Sequence, residues 1–193
     1  MTSYSVIQRL RLALVAGCGL LTMLLQPASA AEYAVTASKP DNLYVIDLKG
    51  RKIVKHYKVP GPGTAVVGME VTKDGIAYLV ANNYKDIVGI NLKTGEEVFR
   101  AKTAHGPDER AINLGLAISP DGSRIYSYEI PSRVHADRYE ALPTRISVYA
   151  ADGGLEATPI KQFTNVPRRI HILMTNPKGD KLYALGWDLY TLN

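Results

Sequence analysis

Residues that build redox and metal sites are scarce in this sequence. A single cysteine, Cys18, occurs among its 193 residues, and it lies in a segment that we expect to be removed on export. Residues 31–193 then have no thiol for a disulfide, for thiol chemistry or for covalent attachment of haem. We expect no cofactor to be held on this chain.

Motifs of several common enzyme sites are missing as well. The chain contains no Gly-x-Ser-x-Gly nucleophile elbow, no His-Glu-x-x-His zinc motif, no EF-hand loop and no Cys-x-x-Cys-His haem motif. Gly61-Pro62-Gly63 lacks the third glycine and the following helix of a dinucleotide site, and we interpret it as a stiff connection. No catalytic residue, cofactor-binding residue or metal ligand is assigned.

The amino terminus has the pattern of a secretory signal peptide. Arg9 and Arg11 precede an apolar run, Leu12–Leu25, and Ala28-Ser29-Ala30 is a small-x-small cleavage site. The run is shorter than the roughly 20 residues that cross a bilayer. Val15-Ala16-Gly17-Cys18 also resembles the lipid-attachment box of lipoproteins, which is the alternative. We predict that the first 30 residues are a secretory signal that is cleaved on export.

The predicted mature domain, residues 31–193, has only a mild excess of positive charge. The full chain has 23 Lys and Arg residues and 18 Asp and Glu residues. Removing Arg9 and Arg11 leaves 21 basic against 18 acidic residues, a net charge of +3. This charge, with no basic run interleaved with aromatic residues, does not indicate a nucleic-acid partner.

One stretch, Gly68–Thr103, has the pattern of four short strands joined by turns. Lys73-Asp74-Gly75 suits a tight hairpin turn, and we assign its left-handed positions to the Asp and the Gly. Lys93-Thr94-Gly95 marks another turn. The predicted strands are Met69–Thr72, Ile76–Ala81, Ile87–Leu92 and Glu96–Lys102.

Hydrophobicity changes from the middle of this unit to its end. The second strand is apolar on both faces from Ala77 to Ala81, so its sheet must be covered on both sides. The fourth strand alternates apolar with charged residues, as outer strands do to avoid pairing with other molecules. Buried inner strands and a charged rim are typical of a β-propeller blade. A pair of hairpins in a β-sandwich is the alternative for this unit alone.

The unit recurs along the chain, which favours the propeller. A first copy, residues 32–59, matches the last three strands and has no innermost strand. A third copy begins at Gly115 and contains Ser119-Pro120-Asp121-Gly122, and a fourth begins at Ile170. We place four tyrosines at equivalent positions of the second strands: Tyr33, Tyr78, Tyr126 and Tyr183. We predict an all-β fold, a partial β-propeller of about three and a half four-stranded blades.

An insertion, Ile130–Thr144, separates the second and third strands of the third unit. Insertions in repeat arrays lie in loops on one face, which is often the binding face. A solvated loop without a partner is the alternative.

Two connections that lead into innermost strands carry the candidate functional residues. In propellers, such connections open onto the central channel, where their charged groups could bind an anion, a metal or another chain. Solvated loops with local salt bridges are the alternative. The candidates for partner contact are His105, Asp108, Glu109, Arg110, Arg168, Arg169 and His171.

Two segments resemble a known family. Residues 31–48 read Ala-Glu-Tyr-Ala-Val-Thr-Ala-Ser-Lys-Pro-Asp-Asn-Leu-Tyr-Val-Ile-Asp-Leu, and residues 118–126 read Ile-Ser-Pro-Asp-Gly-Ser-Arg-Ile-Tyr. Together with the leader, they resemble the β subunit of bacterial quinohemoprotein amine dehydrogenase. The Ser-Pro-Asp-Gly turn is shared with propellers of the cytochrome d1 and methylamine dehydrogenase heavy-chain type. The resemblance covers residues 32–193, about the first half of a family member.

The resemblance implies a periplasmic seven-bladed propeller that scaffolds a complex oxidising primary amines. In that family a small γ subunit carries the cysteine tryptophylquinone, and electrons pass to haem c groups in a dihaem α subunit. A chain without mature cysteine fits the non-catalytic role. The chain departs from the family in its length.

Two other functions remain open. A stand-alone propeller hydrolase of the lactonase type would need acids and asparagines around a metal in the channel, and Asp108 and Glu109 are its candidates. A protein-binding module in the periplasm is the other alternative.

The incomplete repeat generates a prediction about the isolated domain. Blades bury their faces only against neighbours, and fewer than four cannot close a ring. We therefore expect the chain to be a fragment of a longer protein or a truncated reading frame, with two apolar blade faces exposed. Residues 31–193 expressed alone should aggregate in size-exclusion chromatography with light scattering. A monodisperse monomer that melts cooperatively would contradict this expectation.

Overall fold

The computed structural model describes residues 32–62 and 67–192. The predicted signal peptide and the lipid-attachment box lie outside these residues. No helix in the described part is both long and apolar enough to span a membrane. Apart from one turn of 3-10 helix at Gly154–Glu156, the regular structure described is entirely β.

Fifteen strands follow one another along the described residues. They are β1 (Tyr33–Ser38), β2 (Asn42–Asp47), β3 (Lys52–Lys58), β4 (Val67–Val71), β5 (Ile76–Ala81), β6 (Asp86–Asn91), β7 (Glu97–Lys102), β8 (Glu109–Ile118), β9 (Arg124–Val134), β10 (Tyr139–Ala141), β11 (Arg145–Ala150), β12 (Lys161–Thr164), β13 (Ile172–Thr175), β14 (Leu182–Leu185) and β15 (Leu189–Leu192).

These strands form four separate antiparallel sheets, which we call blades 1 to 4. Blade 1 has the order β1-β2-β3, and blade 2 has the order β4-β5-β6-β7. Blade 3 contains β8, β9, β11 and β12 with β10 as a fifth strand, and blade 4 has the order β13-β14-β15. The predicted all-β repeat of four units is confirmed, including a first unit without an innermost strand among the described residues.

Blade 3 differs from its prediction. The segment Ile130–Thr144, predicted as an inserted loop, belongs largely to the sheet. Strand β9 continues to Val134 and pairs with β8 on one side and with β10 on the other. An outer strand, β12, follows the 3-10 turn and pairs with β11. The sequence analysis placed no strand there.

The three inner hairpins share one turn geometry. Gly75, Gly122 and Gly179 have φ of +83°, +74° and +74°, in the region that favours glycine. Each donates its N–H to the carbonyl three residues earlier, at 2.8 to 3.0 Å. The assignment of Asp74 to a left-handed position was wrong, since its φ is not positive. In the equivalent turn, hydrogen bonds from serine hydroxyls and the Ser123 N–H lower the pKa of Asp121 to about 2.

Only three of the four tyrosines are equivalent. Tyr78, Tyr126 and Tyr183 each pair with the second-to-last residue of their inner strand. Tyr33 instead begins β1 and pairs with Asp47. Val35 of β1 pairs with the residue two positions before the end of β2, and Tyr78 of β5 pairs with the residue two positions before the end of β6. Val35 is therefore the equivalent of Tyr78 in blade 1. Tyr33 is 56% exposed, so its placement was wrong by two residues.

Three apolar clusters join neighbouring blades. Because side chains alternate across a strand, β5 sends Leu79 towards blade 1 and Tyr78 towards blade 3. Between blades 1 and 2 lie Leu43, Val59, Ala77, Leu79, Ala81, Val88 and Ile90. Between blades 2 and 3 lie Tyr78, Val80, Ile87, Phe99, Ala101, Leu116, Ile125, Tyr149 and Ala157. Between blades 3 and 4 lie Ala117, Tyr128, Ile146, Val166, Ile170, Leu173, Leu182 and Ala184.

The packing around Gly89 in β6 gives a test of this core. A Cβ at Gly89 would lie 2.8 Å from Phe99 Cβ and 2.9 Å from Tyr78 Cε1. Gly89→Ala should therefore lower the free energy of unfolding by about 1–3 kcal/mol through overpacking, measured by urea denaturation. Gly106→Ala is the matched control, because its nearest neighbour would be Glu109 Cβ at 3.9 Å. Equal stability of the two variants would contradict the packing described.

Candidate functional site

A buried polar network lies beside the apolar cluster between blades 2 and 3. Every second residue of β9 and β11 points towards blade 2. At one end of these two strands, where Ile125 packs, the residues on this face are apolar. The same face becomes polar further along, at Ser127 and Glu129 of β9 and at Arg145 and Ser147 of β11. All four polar residues are buried.

The Glu129 carboxylate is the centre of this network. Its side chain has no exposed surface. Oε2 accepts hydrogen bonds from Arg145 Nε at 2.7 Å and from Ser147 Oγ at 2.9 Å. Oε1 accepts from the Tyr149 hydroxyl at 2.9 Å and from Ser127 Oγ at 3.0 Å. Four donors satisfy a charge that burial would otherwise destabilise strongly.

Arg145 connects this carboxylate to the start of blade 3. Its Nη2 donates to Glu109 Oε1 at 2.6 Å and to the Thr103 carbonyl at 2.7 Å. Its Nη1 lies 3.3 Å from Glu109 Oε2, which completes a two-pronged contact. Burial tends to raise the pKa of Glu109, but the hydrogen bonds from Arg145 and from the His105 N–H outweigh it and lower that pKa.

His105 joins the network from the connection between blades 2 and 3. Gln162 Nε2 donates to His105 Nδ1 at 2.8 Å, and His105 Nε2 donates to the Tyr149 hydroxyl oxygen at 3.1 Å. The Tyr149 hydroxyl in turn donates to Glu129. Burial lowers the pKa of His105 despite the nearby Glu129 carboxylate. The lowered pKa favours a neutral imidazole, and the two ring contacts fit a proton on Nε2.

His105 and Gln162 also reach the surface, where they line a cleft of about 760 Å³. The outer strand of blade 2 lines it at Arg100 and Lys102, and the 3-10 turn and the following segment of blade 3 line it as well. The backbone closes one side of the cleft, because the Ala157 N–H donates to the Arg100 carbonyl at 2.9 Å.

The second connection with candidate residues is separate from this cleft. Arg168, Arg169 and His171 lie between blades 3 and 4, and all three are exposed. The Arg169 guanidinium lies 5.8 Å from the Trp187 ring centroid, in cation–π geometry. His171 lines a cavity of about 210 Å³ together with Glu70 of β4. Burial raises the pKa of the Glu70 carboxyl.

The structure therefore brings together only two of the seven candidates. His105 and Glu109 share the network, since the His105 N–H donates to Glu109 Oε1 at 3.1 Å. Asp108 and Arg110 are exposed on either side of Glu109. The His105 side chain reaches β11 and β12 of blade 3, the outer half of that sheet. Partner contact by the seven residues stays a prediction.

Sequence reasoning missed six side chains of the network. They are Ser127, Glu129, Arg145, Ser147, Tyr149 and Gln162. A signal was available, because Ser127 and Glu129 alternate with tyrosines in β9 while Arg145 and Ser147 alternate with apolar residues in β11. Period-two polar residues in a strand covered on both faces indicate a buried polar layer.

The chemistry of the network is structural. Each Glu129 oxygen accepts two hydrogen bonds, and Glu109 is occupied by Arg145 and by a backbone N–H. Within residues 32–62 and 67–192, no group of three His, Cys, Asp or Glu side chains is arranged to hold a metal ion.

One buried side-chain polar atom of the described residues, Asn113 Oδ1, has no hydrogen-bond partner. The Nδ2 atom of the same amide donates to Ser127 Oγ at 2.6 Å.

Comparison with known proteins identifies the architecture. No protein-family model matches the chain, and no curated protein matches it. The β-propeller domain of Cps50 (Swd1) from Myceliophteria thermophila is similar, with a TM-score of 0.58 and 12% identity over 83% of this chain and 50% of that chain. The fold is that of a β-propeller. The predicted partial propeller is confirmed.

Two further similar chains come from a humanized mutant of the Chaetomium thermophilum Polycomb Repressive Complex 2. The complex bound to the inhibitor GSK126 gives a TM-score of 0.59 at 13% identity, and the complex bound to GSK343 gives 0.59 at 12%. Each match covers 83% of this chain and 34% of the other. The propeller described here therefore spans half or less of these three solved chains. At these identities the likeness shows the fold alone.

The network predicts a large effect for one substitution. Arg145→Met should lower the free energy of unfolding by about 3–5 kcal/mol, because it leaves the Glu129 carboxylate buried without its cation. Chemical denaturation at neutral pH measures the change.

Arg133→Met is the matched control for Arg145→Met. Arg133 is 52% exposed and lies 3.4 Å from Glu140, so its loss should change stability by only about 0–1 kcal/mol. An Arg145→Met variant as stable as this control would show that the network contributes nothing to the contact between blades 2 and 3.

Proposed function

We propose that this protein is a propeller scaffold that binds partner proteins in a periplasmic complex oxidising primary amines. In this proposal the cysteine tryptophylquinone is held by a γ subunit and haem c by a dihaem α subunit, as the resemblance of residues 31–48 and 118–126 implies. Residues 31–193 have no cysteine for either attachment, so the redox chemistry is assigned to the partners.

The outward face of blade 4 carries the proposal of partner binding. Leu173, Leu182 and Ala184 face blade 3, so their neighbours in the alternating pattern face away from it. Four of these outward side chains are large, apolar and between 38% and 63% exposed: Ile172, Met174, Leu185 and Leu189. A contiguous apolar face of this kind is covered either by a further blade of a longer chain or by a partner protein, and we propose the partner.

The surroundings of the buried charges favour a scaffold role for this protein rather than an enzymatic one. Arg145, Glu109 and Glu129 are engaged by one another and by neighbouring donors, as a structural layer requires. The hydrolase alternative depends on Asp108 and Glu109, and Glu109 is held by Arg145. A simple protein-binding module is the second candidate, because one of the similar propellers belongs to a multiprotein complex, Polycomb Repressive Complex 2.

Co-expression tests the proposal. The full chain, tagged at its carboxyl terminus, is expressed in a bacterium together with the α and γ subunits of a quinohemoprotein amine dehydrogenase. We expect haem absorbance and quinone staining to co-elute with the tag. The mass of the exported chain should place its amino terminus at Ala31.

Met174→Glu should reduce this co-elution at least about tenfold, because a buried unpaired carboxylate opposes association. The matched control is Ile53→Glu in blade 1, where the isoleucine is 58% exposed. Absence of both subunits from the eluate would contradict the amine dehydrogenase role. Equal losses for the two variants would contradict the use of blade 4 as the contact face.

A further inference from the structure

A cationic and aromatic surface lies at one end of blades 3 and 4, apart from the face that the scaffold proposal uses. Trp187, the one tryptophan of the sequence, is 78% exposed in the turn between β14 and β15. The Arg169 guanidinium lies 5.8 Å from the centroid of its ring, and Arg168 is exposed as well. Tryptophan and arginine are among the residues that most often dominate the energy of protein contacts.

The connection that carries the two arginines is fixed against blade 3. Val166 and Ile170 are buried in the apolar cluster between blades 3 and 4. The Val166 carbonyl accepts a hydrogen bond from Thr144 Oγ1 at 2.5 Å, and the Pro167 carbonyl accepts one from the Tyr128 hydroxyl at 3.1 Å. The arginines therefore extend from an ordered backbone, and a partner need not order it on binding.

Arg169 has a backbone conformation that is unusual for a residue with a Cβ. Its φ is +64°, in the left-handed region. The turn at Gly186 packs directly on it, because a Cβ at Gly186 would lie 2.7 Å from the Arg169 carbonyl oxygen. Strained conformations of this kind persist where the surrounding structure enforces them, and they are concentrated at functional sites. In this conformation the guanidinium lies over the Trp187 ring.

The two guanidinium groups have no carboxylate partner in the part of the chain that the structure describes. No ion pair found there includes Arg168 or Arg169. The acidic residue next to Trp187 is Asp188, whose carboxylate accepts a hydrogen bond from the Tyr190 hydroxyl at 3.4 Å. Both arginines are therefore available to carboxylates of another molecule, which a guanidinium binds through paired hydrogen bonds.

The start of β8 stands beside this connection and adds an apolar group. Gly115 of β8 packs on Leu173 of β13, since a Cβ at Gly115 would lie 3.2 Å from Leu173 Cγ. Strand β8 begins at Glu109, six residues before Gly115, whereas β13 begins one residue before Leu173. The first part of β8 therefore extends past β13. Within it, Ile112 pairs with Ile130 on the face towards blade 4 and is 39% exposed.

We propose that this surface binds an acidic segment of a partner protein, in which carboxylates flank large apolar side chains. The carboxylates pair with Arg168 and Arg169, and the apolar side chains pack on Trp187 and Ile112. Juxtaposed free cations and exposed apolar groups complement such a segment in charge and in hydrophobicity. The proposal depends neither on the amine dehydrogenase role nor on the outward face of blade 4.

Two other classes of anionic partner fit the surface less well. Anionic membranes are recognised by clusters of about four to eight basic residues. Single-stranded nucleic acid is bound in a cationic groove in which successive bases stack on aromatic side chains. Two arginines beside one tryptophan match a short protein segment instead.

Trp187 makes the test direct, because its emission is the only tryptophan signal of the chain. The probe is the N-acetylated, amidated peptide Glu-Asp-Leu-Phe-Asp-Glu, titrated into the full chain. We expect a saturable shift of the emission to shorter wavelength as Trp187 is covered. The uncharged counterpart, Gln-Asn-Leu-Phe-Asn-Gln, should bind at least about tenfold more weakly. Equal binding of the two peptides, or no saturable shift with the acidic one, would overturn the proposal.

Substitutions assign the contacts, with binding followed by fluorescence anisotropy of the dye-labelled acidic peptide. Arg169→Gln should weaken binding about threefold to tenfold, and Trp187→Ala at least about tenfold. Both side chains are exposed, so the fold should be retained. Arg51→Gln is the matched control, because Arg51 is also exposed and left-handed, with φ of +49°, in the turn between β2 and β3. A loss in this control equal to that in Arg169→Gln would overturn the assignment of Arg169.

The other anionic partners form two further arms of the Trp187 emission experiment. Vesicles of phosphatidylglycerol and phosphatidylcholine in equal parts present a membrane, and oligothymidylate presents a single nucleic-acid strand. We expect neither to shift the emission at physiological salt. A saturable shift at a lower concentration of vesicles or oligothymidylate than of the acidic peptide would overturn the assignment to a protein segment.

Discussion

Burial of both faces of each sheet is the constraint on which this structure depends. Strand β5 shows it most clearly, since Leu79 packs towards blade 1 and Tyr78 towards blade 3. A sheet that is apolar on both sides is stable only between two neighbours. The free energy that folds one blade therefore comes largely from the contacts with the next. The same constraint makes the outward face of blade 4, with Met174 and Leu185, the proposed contact for a partner.

The contact between blades 2 and 3 combines two kinds of interaction with different consequences. The apolar part, around Phe99 and Ile125, provides the attraction. The polar part costs desolvation, and the charges of Arg145 and Glu129 compensate for it only in the geometry that satisfies every donor. Such a layer fixes how the two sheets are aligned. It also orients His105 at the end of the surface cleft.

The candidate site was predictable only in part, and sequence distance explains the limit. His105 and Glu109 could be selected because both lie in one charged connection. Their partners are distant: Arg145 is 36 residues from Glu109, and Gln162 is 57 residues from His105. Neither Arg145 nor Gln162 belongs to a sequence motif. A structural polar layer needs complementary donors and acceptors, and it needs no fixed spacing between them along the sequence. Pairing of β9 with β8 and β11 creates the site.

The sequence by itself determined the type of structure. The turns at Gly75 and Gly122 follow from local conformational preference. The burial of both faces of β5 and the period of the repeat follow from the pattern of side chains that alternate across a strand. The tertiary structure decided the rest. It placed Val35 instead of Tyr33 beside the other repeats, extended β9 to Val134 and buried Glu129, because register and strand length depend on which partner a strand pairs with. Local sequence carries no record of that partner.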